Sequence, residues 1–296
     1  MTGEQGSTTI TATVFVVLAA FCWGLSGGIG GMLIAAGWDA YLVSFYRGAI
    51  GLLFVLGWLV VHPRRTGLSD PSLWLWSAVA GLGVAGNFTF YFLSIAEGSV
   101  AVAATLMYCA PVFVFLVSFA LRLETPSMRK WIAIALVMVG IVLLTRVYDA
   151  GAADVTLLGV AAGLLAGACY ALFIFGFKYA APHGSPPAIL VIAFAVLAAA
   201  LIWPSDAGQV TAVLAAEELP LFVALGVLGA GLSFILYVVG LSETAPAVAA
   251  IVAMIEPVTA SLFGVLVLSE RLTATQLVGM ALILLTVTAL SVRATR

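Results

Sequence analysis

The chain has 296 residues, of which 64% are hydrophobic and 8% are charged, and its formal net charge is −2. Soluble domains are about 45–50% apolar and about 25% charged. A water-soluble fold of this length could not bury so much apolar surface, so lipid must cover part of it. The sequence also has no basic stripe, which argues against nucleic acid as a partner.

Apolar runs of about 17–25 residues between polar breaks predict ten membrane-spanning helices. These spans, numbered 1 to 10 in chain order, cover residues 12–35, 40–61, 74–96, 99–121, 128–147, 156–179, 187–203, 219–241, 245–267 and 273–292. The breaks carry turn and capping residues, as in APHGSPP and SETAP. The break at 204–218 has room for a short interfacial helix. No cleaved signal peptide is expected, because residues 1–11 contain no basic region.

Basic residues fall mainly on one side of the predicted membrane. With the N-terminus inside, eight lie on the cytoplasmic side and two outside, while Arg47 lies within span 2. The excess of Lys and Arg on cytoplasmic loops predicts that both termini are cytoplasmic. The eight are Arg64, Arg65, Arg122, Arg129, Lys130, Lys178, Arg293 and Arg296, and the two are Arg146 and Arg271.

One stretch of the chain is nearly repeated 146 residues later. Residues 91–111 read YFLSIAEGSVAVAATLMYCAP, and residues 237–257 read YVVGLSETAPAVAAIVAMIEP. Without a gap, 10 of the 34 positions from 91 to 124 are identical at this offset. The ten spans therefore divide into two units of five. Because five is odd, the second unit must cross the membrane in the opposite sense, which is the architecture of secondary transporters.

The predicted fold is an all-α integral membrane protein with ten transmembrane helices in two inverted five-helix repeats. Its expected parts are a cytoplasmic tail (1–11), a first repeat (12–147), a periplasmic linker (148–155) and a second repeat (156–296). A duplicated helix bundle without a transport role is the alternative.

The pattern resembles the drug/metabolite transporter superfamily of the EamA type. The resemblance rests on the five-plus-five spans, Trp23-Gly24 in span 1, Arg47 in span 2, and the Pro-to-Glu spacing of 13 that Pro111 and Glu124 share with Pro257 and Glu270. Among its members, the chain is most similar to bacterial inner-membrane exporters of aromatic amino acids. The resemblance implies alternating access and a cavity lined mainly by spans 1, 3, 4, 6, 8 and 9.

Two polar and aromatic pairs occupy matching places in the repeats. Asn87 and Tyr91 lie four residues apart in span 3 and share one helix face. Ser233 and Tyr237 are their counterparts in span 8. Such pairs suit a cavity that binds a small amphipathic molecule, although polar side chains in membranes also join helices to one another.

Further aromatic residues fall on the predicted cavity helices. Trp23 lies in the middle of span 1, away from the interfacial belt where Trp is usual. Tyr108 lies in span 4, and Tyr170 in span 6 approximately matches Trp23. Their rings would stack on an aromatic side chain and would equally accept a cation, so two substrate classes remain open.

Charges within the spans are costly and need a reason. Glu256 precedes Pro257, and its repeat counterpart is Ala110. It could take a substrate ammonium, bind a proton, or satisfy groups freed by the proline. For Arg47, reaching towards headgroups or a structural ion pair is favoured over gripping a carboxylate. Lys178 is read as a positive-inside anchor, with a role at the cavity mouth as the alternative.

Two prolines are candidate flex points. Pro111 and Pro257 each remove a helix hydrogen bond at symmetric positions, which fits either a hinge for alternating access or a static bend. Glu124 and Glu270 are expected to serve structure at the membrane boundary. Cysteines are isolated within spans and predict neither metal nor disulfide.

These observations predict a secondary transporter, and the resemblance implies that it exports aromatic or other neutral apolar amino acids across a bacterial inner membrane. The leading alternative is an exporter of multiple drugs or quaternary cations, and an enzyme or scaffold is the alternative outside transport. No nucleotide-binding motif is present, so no cofactor is expected. The expected partners are the small-molecule substrate and membrane lipid, with proton coupling left open.

Overall fold

A computed structural model describes residues 2–61, 66–123, 125–150 and 156–293 as a bundle of helices, with no strand in this part of the chain. The α-helices are α1 (Thr2–Ala35), α2 (Ala40–Val61), α3 (Pro71–Ala96), α4 (Val100–Met107), α5 (Ala110–Ala120), α6 (Met128–Thr145), α7 (Leu157–Ala180), α8 (Pro186–Leu201), α9 (Ala207–Ala212), α10 (Leu219–Gly226), α11 (Ser233–Glu243), α12 (Pro246–Val252), α13 (Ile255–Val267) and α14 (Ala274–Arg293). Glu124, Arg64, Arg65, Arg296 and residues 151–155 of the predicted linker lie outside the described residues.

The ten predicted apolar spans are confirmed as helical segments. Eight are long and apolar enough to cross a membrane, and the other two are the shorter apolar helices Pro186–Leu201 and Ala274–Leu290. The first helix already begins at Thr2, although its apolar part begins at Thr11. The break at 204–218 contains a short helix, α9, as the sequence predicted.

The repeat is visible in the positions where helices begin. α2, α4 and α6 begin at Ala40, Val100 and Met128, and each of their counterparts α8, α12 and α14 begins 146 residues later. Packing follows the same symmetry. Span 3 (α3) packs against span 6 (α7), and their counterparts, span 8 (α10 and α11) and span 1 (α1), pack together in the same way. Spans 5 and 10 (α6 and α14), which are counterparts of each other, also pack together.

Spans 4 and 9 are each broken into two helices. α4 ends at Met107 and α5 begins at Ala110, while α12 ends at Val252 and α13 begins at Ile255. The cause is a proline in the first turn of the second half in each case, because Pro111 and Pro257 lack the N–H that would bond to the preceding turn. The sequence predicts continuous spans with a hinge or a bend at each proline, and the structure has a two-residue break before each of them instead.

Close approach to the broken helices requires glycine on the neighbouring spans. A Cβ on Gly24 would lie 2.5 Å from the Glu256 carbonyl oxygen, and a Cβ on Gly167 would lie 3.0 Å from the Met107 carbonyl oxygen. Spans 1 and 6 therefore pack directly on the break regions of spans 9 and 4, as small residues at membrane helix interfaces allow.

Span 8 contains a π-helical segment, residues 227–232, between α10 and α11. Such segments are rare and occur frequently at functional sites, because the wider turn changes where backbone carbonyls point. In this span the π segment lies beside α2 and α1.

Candidate functional site

Aromatic rings from spans 1, 6 and 8 meet in the middle of the bundle. The Trp23 ring lies 4.9 Å from Tyr237 and 5.0 Å from Phe234, centroid to centroid. Phe173 lies 4.5 Å from Tyr170 and 6.2 Å from Tyr237. We call these five residues the aromatic cluster. Its tilted and edge-to-face contacts are those that aromatic rings prefer.

Three side chains in and next to this cluster have buried polar atoms without a partner among the described residues. They are the Trp23 Nε1, the Ser233 hydroxyl and the Tyr237 hydroxyl. Ser233 and Tyr237 have 0% exposed surface. A buried polar group without a hydrogen bond is costly, so these atoms are available to a ligand or to another conformation of the protein.

The corresponding pair in the first repeat is arranged differently. Asn87 is buried and its amide Nδ2 donates to the Ala166 carbonyl oxygen at 3.0 Å, which joins spans 3 and 6. This is the helix-joining contact that was the alternative for Asn87. Tyr91 is half-buried, whereas its counterpart Tyr237 is completely buried.

Glu256 lies in the first turn of α13, immediately after the break in span 9. Its Oε2 accepts a long hydrogen bond of 3.5 Å from the Tyr170 hydroxyl. Tyr91 and Tyr108 lie close enough for its charge to act on their hydroxyl groups. The positive end of α13 stabilises the carboxylate charge, while burial opposes it.

Arg47 approaches the same region from span 2. Its Nε and Nη2 donate to the Gly229 carbonyl oxygen of the π segment at 2.9 and 2.7 Å. The guanidinium carbon lies 5.1 Å from the centroid of the Phe88 ring, a cation–π contact. A headgroup or ion-pair role is the expectation from the sequence for Arg47, but the side chain is held by a backbone carbonyl and an aromatic face.

Arg47 and Glu256 approach the same turn of span 1: a Cβ on Gly229, which holds Arg47, would lie 2.6 Å from the Ser26 side chain, and the Glu256 backbone packs on Gly24. Within the described part of the chain, however, neither forms a direct ion pair. Arg47, Glu256 and Tyr91 are each half-buried. Part of each of these side chains therefore remains open to contact by a ligand.

Lys178 joins two helices at the face where α7 and α11 both end. Its Nζ donates to the carbonyl oxygens of Leu241, Ser242 and Thr244 at 2.9, 2.8 and 3.1 Å. A cation at a helix C-terminus satisfies the last carbonyls and is favoured by the helix dipole. The side chain therefore bridges spans 6 and 8, so it does more than anchor the helix end.

The structure brings most of the predicted site residues together. Trp23, Tyr170 and Tyr237 share the aromatic cluster, Ser233 lies one helical turn from Tyr237, and Tyr91 and Tyr108 lie near Glu256. The site also contains Arg47, Phe173 and Phe234, which are not among the substrate-binding residues predicted from the sequence. A signal for Arg47 was present, because its repeat counterpart is the neutral Ala193, just as Glu256 matches Ala110.

Comparison with known proteins agrees with this architecture. The EamA-like transporter family matches residues 10–146 and 157–292, one match for each repeat. An uncharacterized transporter of Archaeoglobus fulgidus is 32% identical over 251 residues, which cover 84% of this chain and 85% of that protein. The uncharacterized transporter YwfM of Bacillus subtilis is 26% identical over 92% of this chain and 91% of its own length.

Two further similarities extend the comparison. The threonine/homoserine exporter RhtA of Salmonella typhimurium is 29% identical over 69% of this chain and 66% of its own length. One solved crystal structure matches with a TM-score of 0.73 and 18% identity, over 96% of this chain and 98% of that chain. At this identity the solved structure supports the fold.

Proposed function

Because this chain belongs to the EamA-like transporter family and is a multi-pass membrane transporter, we propose that its substrates are neutral amino acids, with aromatic side chains preferred. The observation that carries the proposal is the aromatic cluster beside Glu256. The cluster would bind a flat apolar side chain, and the polar groups of Tyr91, Tyr108, Glu256 and Ser233 would bind the polar end. In this assignment Asn87 positions spans 3 and 6.

The inequality of the two repeats supports alternating access. Tyr91 is half-buried, while Tyr237 and Ser233 are buried with hydroxyls that have no partner among the described residues, in the span that Lys178 joins to span 6. In the opposite state we expect these roles to be exchanged, so that Ser233 and Tyr237 face the substrate. Pro111 and Pro257 would act as flex points, because each lies at a break that needs no further loss of helix hydrogen bonds.

The membrane and the direction of transport are part of the same proposal. The distribution of Lys and Arg favours a bacterial inner membrane with both termini in the cytoplasm. Lys178 then lies on the cytoplasmic face, and Tyr91 lies in the periplasmic half of span 3. Export is favoured by the similarity to RhtA, whose name describes a threonine and homoserine exporter.

Export of quaternary cations is the alternative function. It is favoured by one observation, the carboxylate of Glu256 among the rings of Tyr91, Tyr108 and Tyr170, since aromatic faces and a carboxylate both attract cations.

Counterflow in liposomes separates the two functions. Purified protein is reconstituted, separate batches of liposomes are loaded with unlabelled Phe, Thr or methyl viologen, and the same compound in labelled form is supplied outside without ATP or an ion gradient. Uptake of Phe above the dication supports the proposal. Uptake of the dication alone would replace it with the alternative, and a lack of exchange of every neutral amino acid would overturn it. Since no ion gradient is present, the result is independent of any proton coupled through Glu256.

A further inference from the structure

Two opposite charges face the interior of this protein without touching each other. Glu256 comes from span 9 and Arg47 from span 2, so each repeat contributes one of them. Neither is part of the repeat pattern, since their counterparts are Ala110 and Ala193. Charged residues inside a membrane bundle are costly. The Glu256 backbone packs on Gly24, and Gly229, which holds Arg47, packs on Ser26, so both residues lie beside the same turn of span 1 and one shared role would account for both.

The simplest role for two opposite charges would be a structural ion pair, but the contacts of Arg47 and Glu256 do not form one. Among the described residues Arg47 makes no ion pair, and its contacts are the Gly229 carbonyl and the Phe88 ring. Glu256 has a single long hydrogen bond, the 3.5 Å contact with the Tyr170 hydroxyl. A hydrogen bond of this length is weak. Both charges are therefore poorly compensated by their protein neighbours, although their side chains remain accessible.

The contacts of Arg47 fix its guanidinium group but leave several of its N–H donors unbonded. Nε and one N–H of Nη2 point at one carbonyl oxygen, and the planar group carries five N–H donors in a fixed fork. The remaining donors suit a carboxylate, the group that this fork matches best. The π segment supplies the Gly229 carbonyl that fixes the fork in place.

We propose that Arg47 and Glu256 form a subsite for the α-amino acid zwitterion, in which Arg47 binds the carboxylate and Glu256 the ammonium. The inference rests on the proposed function and deepens it by naming the recognised group. A substrate with both charges compensates both residues at once. A simple amine leaves Arg47 without a partner and is repelled by it, and a simple carboxylate meets the same problem at Glu256. Arg47 therefore selects against the cations that Glu256 alone would attract.

The first test uses the wild-type protein and needs no substitution. Phe, 2-phenylethylamine and 3-phenylpropanoate have the same ring, and the last two lack the carboxylate and the ammonium respectively. Each is added as a competitor to counterflow of labelled Phe. We expect Phe to compete roughly tenfold or more better than either analogue, because each analogue loses a charge-assisted contact. Equal competition by 2-phenylethylamine would overturn the zwitterion subsite while leaving transport of Phe intact.

The second test uses two substitutions with opposite expected effects. Arg47→Gln is expected to remove the preference for Phe over 2-phenylethylamine, and Glu256→Gln the preference for Phe over 3-phenylpropanoate. Arg47→Lys keeps the positive charge and is expected to retain part of the discrimination. Arg146→Gln and Glu243→Gln, at exposed sites near helix ends, are the matched controls and are expected to leave both preferences unchanged.

The outcomes separate this inference from the proposed function. If wild-type protein exchanges no neutral amino acid, the proposed function fails and the subsite fails with it. If it exchanges Phe but the two substitutions leave the preferences unchanged, only the subsite fails. Arg47→Gln also removes the bond to Gly229, so gel filtration and thermal unfolding check its fold. Should it not fold, Glu256→Gln and the wild-type competition series decide the question.

Discussion

Tyr91 and Tyr237 are the same residue of two repeats in two different environments. Tyr91 is half-buried, and Tyr237 is completely buried with a hydroxyl that has no partner among the described residues. Leaving a buried hydroxyl unbonded costs about 1–3 kcal/mol. In the proposed cycle this hydroxyl is used when Tyr237 faces the substrate, and each member of the pair can be tested separately.

Replacing Tyr91 by Ala removes a ring from the accessible side of the site. We expect Tyr91→Ala to reduce counterflow of Phe several-fold without loss of folding, because the half-buried side chain contributes little to the core. Tyr148→Ala, at an exposed tyrosine near the end of span 5, is the control. Wild-type exchange rates in Tyr91→Ala would remove Tyr91 from the binding site.

Removing only the hydroxyl of Tyr237 gives a different pattern. We expect Tyr237→Phe to raise the free energy of unfolding by about 1 kcal/mol, since an unpartnered buried hydroxyl disappears. Exchange of Phe is expected to fall, because the hydroxyl is needed when Tyr237 faces the substrate. Thermal unfolding and counterflow measure the two effects. Slower exchange together with lower stability would indicate a packing defect instead.

At the scale of the helix, the breaks in spans 4 and 9 are the features that separate this bundle from a set of straight rods. Pro257 prevents a hydrogen bond to the Ala253 carbonyl, and the backbone departs from helical geometry at Met254, where ψ is 3°. The first turn of α13 then begins at the site, with Glu256 in it.

Substitution of this proline tests whether the break is used in transport. We expect Pro257→Ala to restore a helix hydrogen bond and stabilise the protein by up to about 3 kcal/mol, the usual cost of a proline within a helix. Exchange is expected to slow, because a continuous span 9 loses its flex point. Pro246→Ala, at the start of α12 where proline is well tolerated, is the control. A stabilised protein with unchanged exchange would show that the break is a static bend.

The start of span 3 provides a pH-dependent contact. The Asp70 Oδ1 accepts from the Ser72 backbone N–H at 2.8 Å and its Oδ2 contacts His183 Nδ1 at 2.7 Å, which joins the two loops on this face. The Ser72 backbone N–H first, and the His183 ring second, hold the pKa of Asp70 below its usual value of 3.8. A lowered carboxylate pKa stabilises the folded state above the usual pKa, and this stabilisation is lost as the pH falls through the lowered value.

Asp70→Asn isolates that charge. Asn caps helices as well as Asp, so the bond to Ser72 should survive while the titration disappears. We expect the wild-type unfolding temperature to fall more steeply than that of Asp70→Asn below about pH 4. Parallel pH profiles for the two proteins would show that the carboxylate charge contributes nothing to this contact.

At the scale of the whole molecule, the two repeats differ at one helix-joining contact. Lys178 joins spans 6 and 8 through three carbonyl oxygens, and its repeat counterpart in span 1 is Met32, which has no charge. The internal symmetry of the fold is therefore broken at this face of the bundle, which in the proposed cycle opens and closes.

Loss of this lysine should favour opening of the face where α7 and α11 end. We expect Lys178→Met to lengthen and broaden the distance between spin labels placed at the ends of those two helices, measured by pulsed electron resonance. Lys178→Arg retains a cationic donor and is expected to behave nearly as the wild type. Unchanged distances in Lys178→Met would show that packing alone keeps this face closed.

Hydropathy predicts the helices because an apolar run is a local property of the chain. The repeat predicts their symmetry because it is read directly from the sequence. The ten apolar runs and the 146-residue offset therefore appear in the structure as helices and symmetric helix starts. The contacts of Arg47 could not be read in this way. Its partner Gly229 lies 182 residues away, in a π segment that local sequence does not specify. The breaks at Pro111 and Pro257 were predictable in part. A proline in a helical span indicates where the helix is disturbed, but not whether it bends or ends there.

The contact of Lys178 with three carbonyl oxygens of span 8 and the loop after it has a consequence for transport kinetics. If one face opens less readily, substrate arriving from that face meets a binding-competent protein less often, and its half-saturation concentration rises by the same factor. A carrier driven only by its substrate gradient cannot gain net work from such asymmetry. Any difference in half-saturation between the two faces must be matched by a proportional difference in maximal rate. Lys178 would thus set the substrate level at which each direction saturates, while the gradient alone decides which direction prevails.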